Sequence, residues 1–570
     1  MVKFKKIVLF YVCLSLSLSM FNLQYFKHNF IVKANEVLEE NSNDAIEEVV
    51  DKKILSEVEE LRDESSKTFF MSDRSFQKII YANDVHYLNE EGIYEEIDHT
   101  LIDNSNIATY AIDDVIGYEA DSNMNLKFAK KAHKSNMISI KNDDYNLMWG
   151  IAGIENKNEA SITLKDNNDD DEITKVMDKI SQTITYPEVF ENIDIEYITT
   201  SNGIKENIII KQKQDKNEFV FHFKVKNIEL QLNEDGSIYA VNDHDEVVYI
   251  MPKAYMYDAN GNTSYDVNYE LEKDNNKYIL KVIADDKWLN SDDVCYPVVI
   301  DPYVFTEQKK DNIQITYVSS VNHNENYDLH KLQIGNKASH GKCRVLVKVG
   351  LDDLNPGDMI TNASLNLYQY SHWFDYSNAA EPKIAAYRIE SSWNETSVTW
   401  DSQPSYDKTS VLDYDVLTKT TNEWKSFDIT SALRRWYDGT YTNHGIMLQL
   451  LKEDISASNY VYGYYLDDAN SQEAGFPFIA ISYINNKGIE SYFDYTSGST
   501  GSAGSFYVDN YSGNLVIEHV DKSTVGSRFP ASVIHYYNSY NYNNEFDTTL
   551  KVGKGWKLNI FQTIRPSSEY

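Results

Sequence analysis

The stretch "RVLVKVGLDDLNPGDMITNASLNLYQY", residues 344–370, decides the fold class of this chain. In "RVLVKVGL" and "ASLNLYQY" apolar residues alternate with polar ones. The same period of two returns in "NHGIMLQL" (443–450) and "FIAISYI" (478–484). Short alternating runs separated by turn signals are typical of two packed antiparallel sheets, because successive side chains on a strand point to opposite faces. The sequence therefore predicts an all-β sandwich over residues 303–485.

One helix is predicted inside this region, over "SALRRWYDG" (431–439). Asp428 and Thr430 are good N-cap residues, and Gly439 is a typical helix terminator. We expect the helix to dock on the edge of the sandwich and to leave Arg434 and Arg435 free to reach carboxylates or solvent. Three apolar residues share one face at spacings of four and three: Ile429, Leu433 and Trp436.

Two tryptophans, Trp393 and Trp400, lie in the polar stretch "ESSWNETSVTWDSQPSY" (390–406). An indole buries on the order of 200 Å², so two of them can anchor a loop that has no aliphatic residues of its own. If the chain is extended here, an odd offset of seven places the two rings on opposite sides. We therefore expect both rings to be structural, with Trp400 as the alternative candidate for lining a ligand groove.

A second candidate for ligand binding is a ladder of tyrosines. Alternate residues of a strand lie about 6.6 Å apart, so flat rings at these positions can stack on sugars, and neighbouring carboxylates can accept hydroxyl hydrogen bonds. The alternative is that these tyrosines half-bury their rings on an ordinary sheet face. The predicted site consists of strand tyrosines, adjacent acids and two loop aromatics: Tyr460, Tyr462, Tyr464, Asp467, Asp468, Trp373 and Tyr376.

The ordered motifs of residues 303–485 resemble the DNRLRE domain family, which is also classed among the carbohydrate-binding modules. The resemblance implies a jelly-roll β-sandwich and binding of a polysaccharide. The string that names the family is absent, so the resemblance depends on the motif series. The family pattern W-x-E-x-x-x-T-W falls on four residues: Trp393, Glu395, Thr399 and Trp400.

Residues 67–302 are also patterned as strands. In "FVFHFKVKNIELQL" (219–232) a strict period of two predicts that the side chains of Phe219, Phe221, Phe223 and Val225 share one face. "VHYLNEEGIYEEID" and "YPVVIDP" resemble the β-region that precedes RHS or YD repeats in secreted wall-associated proteins. "DNNDDDE" (166–172) lacks EF-hand spacing and predicts a solvated hairpin tip instead of a calcium loop.

The two ends of the sequence have different patterns. Residues 1–34 predict a signal peptide with a basic start, an apolar core and cleavage before Asn35, and a retained anchor is the alternative. Residues 35–66 form an acidic leader, either an amphipathic helix or disordered. Residues 486–570 are β-patterned, and "VGKGWKLNIFQTI" resembles the strand that opens an RHS shell. We expect this segment to be the interrupted start of such a region.

Composition limits the function. A formal net charge of −35 argues against nucleic acid or an anionic membrane as partner. No metalloprotease, P-loop or nucleophile-elbow motif occurs, and Cys295 and Cys343 lack metal-site spacing. We therefore predict a secreted, monomeric, non-enzymatic protein that binds cell-wall polysaccharide without a cofactor, with structural calcium as the alternative.

The acidic sandwich favours a neutral glycan, or an anionic glycan bridged by calcium, over a bare polyanion. Two other functions stay open at this point. The sandwich can be a purely structural or delivery module of a toxin, with no glycan binding. Residues 67–302 can contain a hidden hydrolase that acts on wall polymer.

Overall fold

The computed structural model describes the larger part of the chain and leaves gaps between the described ranges. These ranges are 52–103, 116–142, 144–163, 172–259, 262–275, 277–306, 313–327, 332–337, 341–351, 354, 358–374, 382–416, 423–453, 462–466, 475–484, 489, 494–510, 513–524, 531–539 and 552–559. Nearly all regular structure in them is β, so the all-β multidomain prediction is confirmed.

Five strands open the described chain. They are β1 (Ile54–Glu57), β2 (Ser66–Met71), β3 (Phe76–Tyr81), β4 (His86–Leu88) and β5 (Tyr94–Glu96), with a 3₁₀ turn at Glu59–Leu61. The first three form an antiparallel meander, and β4 and β5 form a separate hairpin.

The N-terminal sandwich follows and consists of two antiparallel sheets. One sheet contains β6 (Ile102–Asp103), β7 (Ile116–Asp121), β8 (Asn125–Ala129), β9 (Ile138–Asn142), β10 (Tyr145–Ile151), β15 (Glu218–Lys226), β21 (Val267–Asp274) and β22 (Lys277–Ala284). The other contains β11 (Ser161–Thr163), β12 (Thr183–Phe190), β13 (Ile193–Thr200), β14 (Gly203–Ile210), β16 (Glu229–Leu232), β17 (Ile238–Val241), β18 (Val247–Met251), β19 (Tyr255–Asp258), β20 (Thr263–Ser264), β23 (Val298–Asp301) and β24 (Tyr303–Phe305). Two short helices accompany them, α1 (Lys175–Ile180) and α2 (Asp286–Leu289).

A single apolar core lies between these two sheets. Phe219, Phe221 and Phe223 are buried in it, and Val225 packs against it, so the predicted shared face of β15 is confirmed. The indole of Trp149 stacks on Phe223 with ring centroids 5.6 Å apart.

The core of the N-terminal sandwich also contains a carboxyl group. Glu206 on β14 pairs with Tyr197 on β13, and both side chains are buried. The Oε1 atom of Glu206, the Nε1 atom of Trp149 and the hydroxyl groups of Tyr197 and Tyr269 have no hydrogen-bond partner in the structure. Burial raises the pKa of Glu206 to about 8. The neighbouring Tyr197 and Trp149 lower this pKa, but their effect is smaller than that of burial.

The second sandwich contains β25 (Ile313–Ser319), β26 (Leu332–Lys337), β27 (Gly341–Val349), β28 (Met359–Phe374), β29 (Lys383–Ile389), β30 (Tyr406–Val416), β31 (Glu423–Asp428), α3 (Thr430–Tyr437), β32 (Ile446–Leu450), β33 (Tyr462–Leu466) and β34 (Phe478–Ile484). We call β25, β27, β32, β29 and β30 sheet I. We call β1, β2, β3, β34, β28 and β31 sheet II. Strands β26 and β33 connect the two sheets, and apolar residues from both sheets fill the space between them.

Helix α3 closes this core much as the sequence predicts. Ile429, Leu433 and Trp436 are buried in it, and Gly439 has φ +73° just beyond the helix. Arg434 is exposed as predicted, and it also donates to two backbone carbonyls, those of Ile360 at 2.9 Å and Thr361 at 3.0 Å.

The domain boundaries differ from the prediction at the N-terminal side. Strand β3 pairs with β34, so residues 54–81 extend sheet II of the second sandwich, although the sequence places them in the leader and in the first domain. Residues 54–57 of the acidic leader form a strand and not a helix. The apolar residues of the leader that recur every four positions indicated a helix. A spacing of four also keeps side chains on one face of a strand, so this pattern does not distinguish the two.

The outer face of sheet II is covered by the first domain. Helix α1 places Val176, Met177 and Ile180 against Phe69 and Tyr81, in a cluster that also contains Phe478. The Tyr81 hydroxyl donates to the carbonyl oxygen of Ile173 at 3.0 Å. Sheet II is thus packed on both of its faces, by the core of the second sandwich and by the first domain.

The C-terminal strands form a separate five-stranded meander in sequence order. They are β35 (Tyr495–Ser499), β36 (Ser505–Asp509), β37 (Leu515–Thr524), β38 (Ala531–Asn538) and β39 (Trp556–Leu558), with a 3₁₀ turn at Gly501–Ala503.

The predicted signal peptide lies outside the described residues. Cys295 is exposed, Cys343 is buried, and both are free thiols.

Candidate functional site

The outer face of sheet I carries the candidate site. On β27, Val345 and Val347 point into the sandwich core, so Arg344 and Lys348 must point outward, because side chains alternate along a strand. Leu346 also points outward and belongs to a separate small apolar cluster. An apolar side chain on an outer face needs a cover, and the tryptophan stretch provides it.

This cover is the segment 390–405, which we call the tryptophan loop. It lies over Val318, Leu346, Ile389 and Met447, with its own Val398 at the centre. Trp393 and Trp400 both pack against this cluster. The expectation that the two rings face opposite ways is wrong, because turns and bends interrupt the segment and the odd–even rule holds only for extended chain.

Specific hydrogen bonds fix the tryptophan loop on the sheet. The indole nitrogen of Trp393 donates to the carbonyl oxygen of His444 at 2.8 Å. The amide of Asn326 donates to the carbonyl oxygens of Glu395 and Val398, at 2.7 and 2.8 Å. The Glu395 carboxylate accepts from the backbone N–H of Ile315 at 2.5 Å. The Trp and Glu residues of the family pattern therefore connect the loop to its own sandwich.

Arg344 links the loop to the open part of sheet I. Its guanidinium carbon lies 4.6 Å from the ring centroid of Trp400 and 5.7 Å from that of Tyr406. It makes a two-pronged ion pair with Glu453, at 2.8 and 2.5 Å, and donates to Gln403 at 2.7 Å. Burial lowers the pKa of Arg344, but the Glu453 carboxylate raises it by more, so the pKa is above its usual value. The guanidinium group therefore stays cationic and fixed in place.

Beside Arg344 lies a polar and aromatic surface. The rings of Tyr387 and Tyr406 meet edge to face at 5.3 Å, and the amide of Gln449 donates to the Tyr406 hydroxyl at 3.0 Å. Gln449 is only 5% exposed, yet its Oε1 atom has no hydrogen-bond partner. We call these residues the outer platform: Arg344, Tyr387, Trp400, Tyr406 and Gln449.

The chemistry of the outer platform suits a carbohydrate. The partly exposed rings of Trp400 and Tyr406 can pack against the C–H face of a sugar ring. The charged pair of Arg344 and Glu453 adds a donor and an acceptor of fixed geometry.

The structure describes the predicted site residues unevenly. Trp400 belongs to the outer platform. Trp373 lies in β28, and not in a loop as predicted, where it pairs with Gly463. Tyr462 and Tyr464 lie on β33 as expected for a strand, and Tyr464 pairs with Ile334 and His372. Four predicted residues lie outside the described part of the chain: Tyr376, Tyr460, Asp467 and Asp468.

Sequence reasoning missed Arg344, Tyr387, Tyr406 and Gln449. Arg344 and Gln449 lie in strands that indicated only the fold, Tyr406 ends the tryptophan stretch, and Tyr387 lies in a strand that no pattern singled out. The signal was present at Gln449, which is the polar residue of the otherwise apolar strand β32. Their convergence depends on β27, β32 and β29 being neighbours, which only the topology shows.

The described residues contain no group of three or more His, Cys, Asp or Glu side chains that could hold a metal ion. Of the acidic stretch 166–172, only Glu172 is described. No helix in the described ranges has the length and apolar character needed to cross a membrane.

Two family models match the chain, and each covers most of one sandwich. Residues 306–461 match carbohydrate-binding module family 96. Residues 104–303 match a domain of unknown function, DUF7948, which coincides with the N-terminal sandwich.

Curated relatives align over longer stretches. The tRNA nuclease WapA of Bacillus subtilis strain 168 is 25% identical over 456 residues, which are 76% of this chain and 18% of the relative. The tRNA3(Ser)-specific nuclease WapA of Bacillus spizizenii is 24% identical over the same shares. A wall-associated protein of Geobacillus stearothermophilus is 26% identical over 207 residues, 36% of this chain and 75% of the relative.

These matches support a wall-associated protein that carries a carbohydrate-binding-type module. They also correct one prediction. The expectation of a non-enzymatic protein is wrong, because relatives that align with most of this chain are named tRNA nucleases. For the same reason, the exclusion of nucleic acid as a partner does not extend to the whole protein. The chain spans 18% of the length of those nucleases.

Proposed function

We propose that this chain attaches a secreted, wall-associated protein to cell-wall polysaccharide, and that the outer platform of sheet I binds the glycan. The observation that carries the proposal is a coincidence of position. The residues that match carbohydrate-binding module family 96 include every residue of the outer platform and most of the sandwich that carries it.

Two further features support attachment as the function. Sheet II is packed on both faces, so we assign the polymer to the outer side of sheet I and the tryptophan loop that lies on it. The outer platform also places the partly exposed rings of Trp400 and Tyr406 beside the fixed ion pair of Arg344 and Glu453. In the same proposal, residues 303–485 form a DNRLRE-type jelly roll, residues 1–34 a signal peptide, and the C-terminal meander the start of an RHS-type region.

Substitution of Trp400 by alanine is expected to weaken binding of the full chain to isolated cell walls about tenfold or more. The reason is that an aromatic ring at the centre of a binding surface contributes strongly to affinity. Sedimentation of the protein with walls, followed by a glycan array, measures the change. Circular dichroism and the unfolding temperature show whether the variant keeps its fold.

Tyr462→Ala is the matched comparison, because it tests the predicted tyrosine ladder in the same sandwich. Loss of binding with Trp400→Ala alone supports the outer platform, whereas loss with Tyr462→Ala alone moves the glycan to the ladder. If the wild-type chain binds neither walls nor any glycan, the attachment function is wrong and a structural or delivery role takes its place.

A second candidate function is tRNA cleavage, which the names of the relatives favour. Incubation of the purified chain with tRNA, with and without divalent cations, tests whether the matched region contributes to it. Specific cleavage products would locate nuclease chemistry in this chain. Intact tRNA would locate it in the parts of the relatives that this chain does not align with.

A further inference from the structure

The N-terminal sandwich carries a group of lysines on the outer face of the sheet that contains β9, β10, β15 and β22. Ile140, Phe223 and Tyr278 on three of these strands are buried in the core, and Val225 packs against it. Because side chains alternate along a strand, the residues next to them point outward. Four of these outward positions hold lysine: Lys141, Lys224, Lys226 and Lys277.

The register of the strands places the four lysines side by side. Lys224 on β15 lies directly opposite Lys277 on β22. Lys226 and Lys141 both pair with Asn146 on β10, so a single strand separates them. Neighbouring strands lie about 4.8 Å apart, and alternate residues of one strand about 6.6 Å apart. The four side chains therefore leave the sheet within an area only about 14 Å across, which is three strand spacings.

A loop brings a fifth lysine, Lys134, to the same area. Gly150 on β10 faces outward and pairs with His222, two positions before Lys224 on β15. A Cβ atom at Gly150 would lie 2.1 Å from the carbonyl oxygen of His133 and 2.7 Å from the carbonyl carbon of Lys134. The missing side chain thus lets the loop lie directly on the sheet. We call the five lysines the basic strip: Lys134, Lys141, Lys224, Lys226 and Lys277.

No lysine of the basic strip has a carboxylate within ion-pair distance among the residues that the structure describes. Lys224 donates to the amide oxygen of Asn136 at 2.5 Å, and this partner is neutral. Lys277 has Asp274 opposite it on β21, but the Asp274 carboxylate accepts from the amide of Asn275 at 3.0 Å. The positive charges of the basic strip are therefore not neutralised by fixed ion pairs.

Such a group of lysines is unexpected in an acidic chain. The sequence has 88 acidic and 53 basic residues, and like charges directly opposite each other on a sheet are destabilising. Carboxylates do neutralise the lysines at the borders of the strip. Lys127 pairs with Glu119 at 2.9 Å, and Lys281 pairs with Glu270 at 2.9 Å. A narrow positive area between such borders fits a linear polyanion, whereas an anionic membrane would also meet the acidic surroundings.

The other outward side chains indicate which kind of polyanion fits. At the outward positions of β9, β10, β15 and β22 there is no phenylalanine, tyrosine or tryptophan among the described residues. Proteins that bind single-stranded nucleic acid combine positive charge with aromatic rings on which the bases stack. The basic strip offers charge alone, which favours a polysaccharide with anionic groups over RNA.

We propose that the basic strip binds the phosphate or carboxylate groups of a linear cell-wall polymer, as a contact separate from the outer platform. The inference rests on the proposed attachment function for the identity of the polymer, and it adds a second site on the other sandwich. The net charge of −35 disfavours a polyanion for the chain as a whole, but the polymer meets the local field of the strip.

Lys224→Gln combined with Lys226→Gln in the full chain is expected to lower the affinity for anionic wall polymer about tenfold at low salt. The salt dependence should also decrease, because two charge contacts are lost. Purified teichoic acid provides phosphate, polygalacturonate provides carboxylate, and dextran provides a neutral polymer. The matched control is Lys157→Gln combined with Lys287→Gln, which removes two exposed lysines from elsewhere in the same sandwich.

Thermal unfolding separates loss of binding from loss of structure. Replacement of Lys224 removes the like-charge contact with Lys277, so the double variant at Lys224 and Lys226 should unfold at the wild-type temperature or above it. A lower unfolding temperature would show that these lysines stabilise the sheet, which contradicts a role in binding alone.

The outcomes distinguish this inference from the attachment function. Loss of anionic binding in the Lys224 and Lys226 variant, with the control and Trp400→Ala unaffected, supports the basic strip, and the more affected polymer identifies the anionic group. Equal effects of this variant and its control would overturn it. Tighter binding of polyuridylate than of either anionic polysaccharide would overturn the choice of ligand. Failure of the wild-type chain to bind either anionic polymer would overturn the inference, yet wall binding that depends on Trp400 would leave the attachment function standing.

Discussion

Glu206→Gln is expected to raise the free energy of unfolding of the N-terminal sandwich above pH 8 by on the order of 4 kcal/mol. The native carboxyl lies in the apolar core, opposite Tyr197, and its Oε1 atom has no hydrogen-bond partner. Glutamine has nearly the same shape and never carries the charge that the core disfavours.

The direction follows from the pKa of Glu206, about 8 in the folded chain against an ordinary 4.5. Below pH 4.5 the carboxyl is protonated in both the folded and the unfolded state, and Glu206 then costs the sandwich no stability. Between pH 4.5 and 8 the unfolded state has lost a proton that the folded state keeps, so the stability falls with rising pH. Above pH 8 the loss is complete. The next residue along the chain from Glu206, Lys205, forms an ion pair with Asp301, in which Nζ and Oδ2 lie 2.8 Å apart.

Unfolding in urea at a series of pH values measures this effect, with the fluorescence of the tryptophans as the signal. The difference between Glu206→Gln and the wild type should grow from near zero below pH 4.5 to its full value above pH 8. Glu191→Gln, at an exposed position, is the control and should follow the wild type. Parallel curves for Glu206→Gln and the wild type would show that Glu206 titrates normally.

A fragment of residues 303–485 is expected not to fold stably, although the sequence predicts it as a complete domain. The fragment lacks Phe70, Phe76 and Ile80, which are buried in the core of the second sandwich. Burial of each such side chain stabilises by about 1.5–3 kcal/mol, so their loss removes on the order of 6 kcal/mol. A typical domain has a total stability of only about 5–15 kcal/mol. The fragment also exposes the edge of β34, which favours aggregation.

Soluble yield and thermal unfolding of residues 303–485 and 52–485 measure the difference. The longer fragment should be soluble and unfold cooperatively. In the full chain, Phe76→Ala should cost about 3–5 kcal/mol. Ile93→Ala, at a position 57% exposed, should change the stability by less than about 0.5 kcal/mol. Equal unfolding temperatures for the two fragments would contradict the role of β1 to β3.

The sequence was sufficient for features that depend on local periodicity. Phe219, Phe221 and Phe223 share a buried face because alternation is a property of any strand. Ile429, Leu433 and Trp436 share one because helical spacing is equally local. In both cases a one-dimensional pattern determines which side chain enters the core.

Features that depend on pairing between distant strands were not predictable. Nothing near Phe76 indicates that it pairs with Tyr483. The same holds for the candidate site, where Arg344, Tyr387 and Gln449 become neighbours only because β27, β32 and β29 lie side by side. The tryptophans were identified from their residue type, but their common orientation required the turns of the loop.

The pairing of β3 with β34 has a consequence for the order in which the chain is made. Its partners, Phe76 and Tyr483, are about 400 positions apart, and a ribosome adds about 5–20 residues per second. The first three strands must therefore wait on the order of a minute for the strand that completes their sheet. During that time Phe70 and Phe76 lack the complete core of the second sandwich. We expect a chaperone to hold the nascent segment until residue 484 has been synthesised.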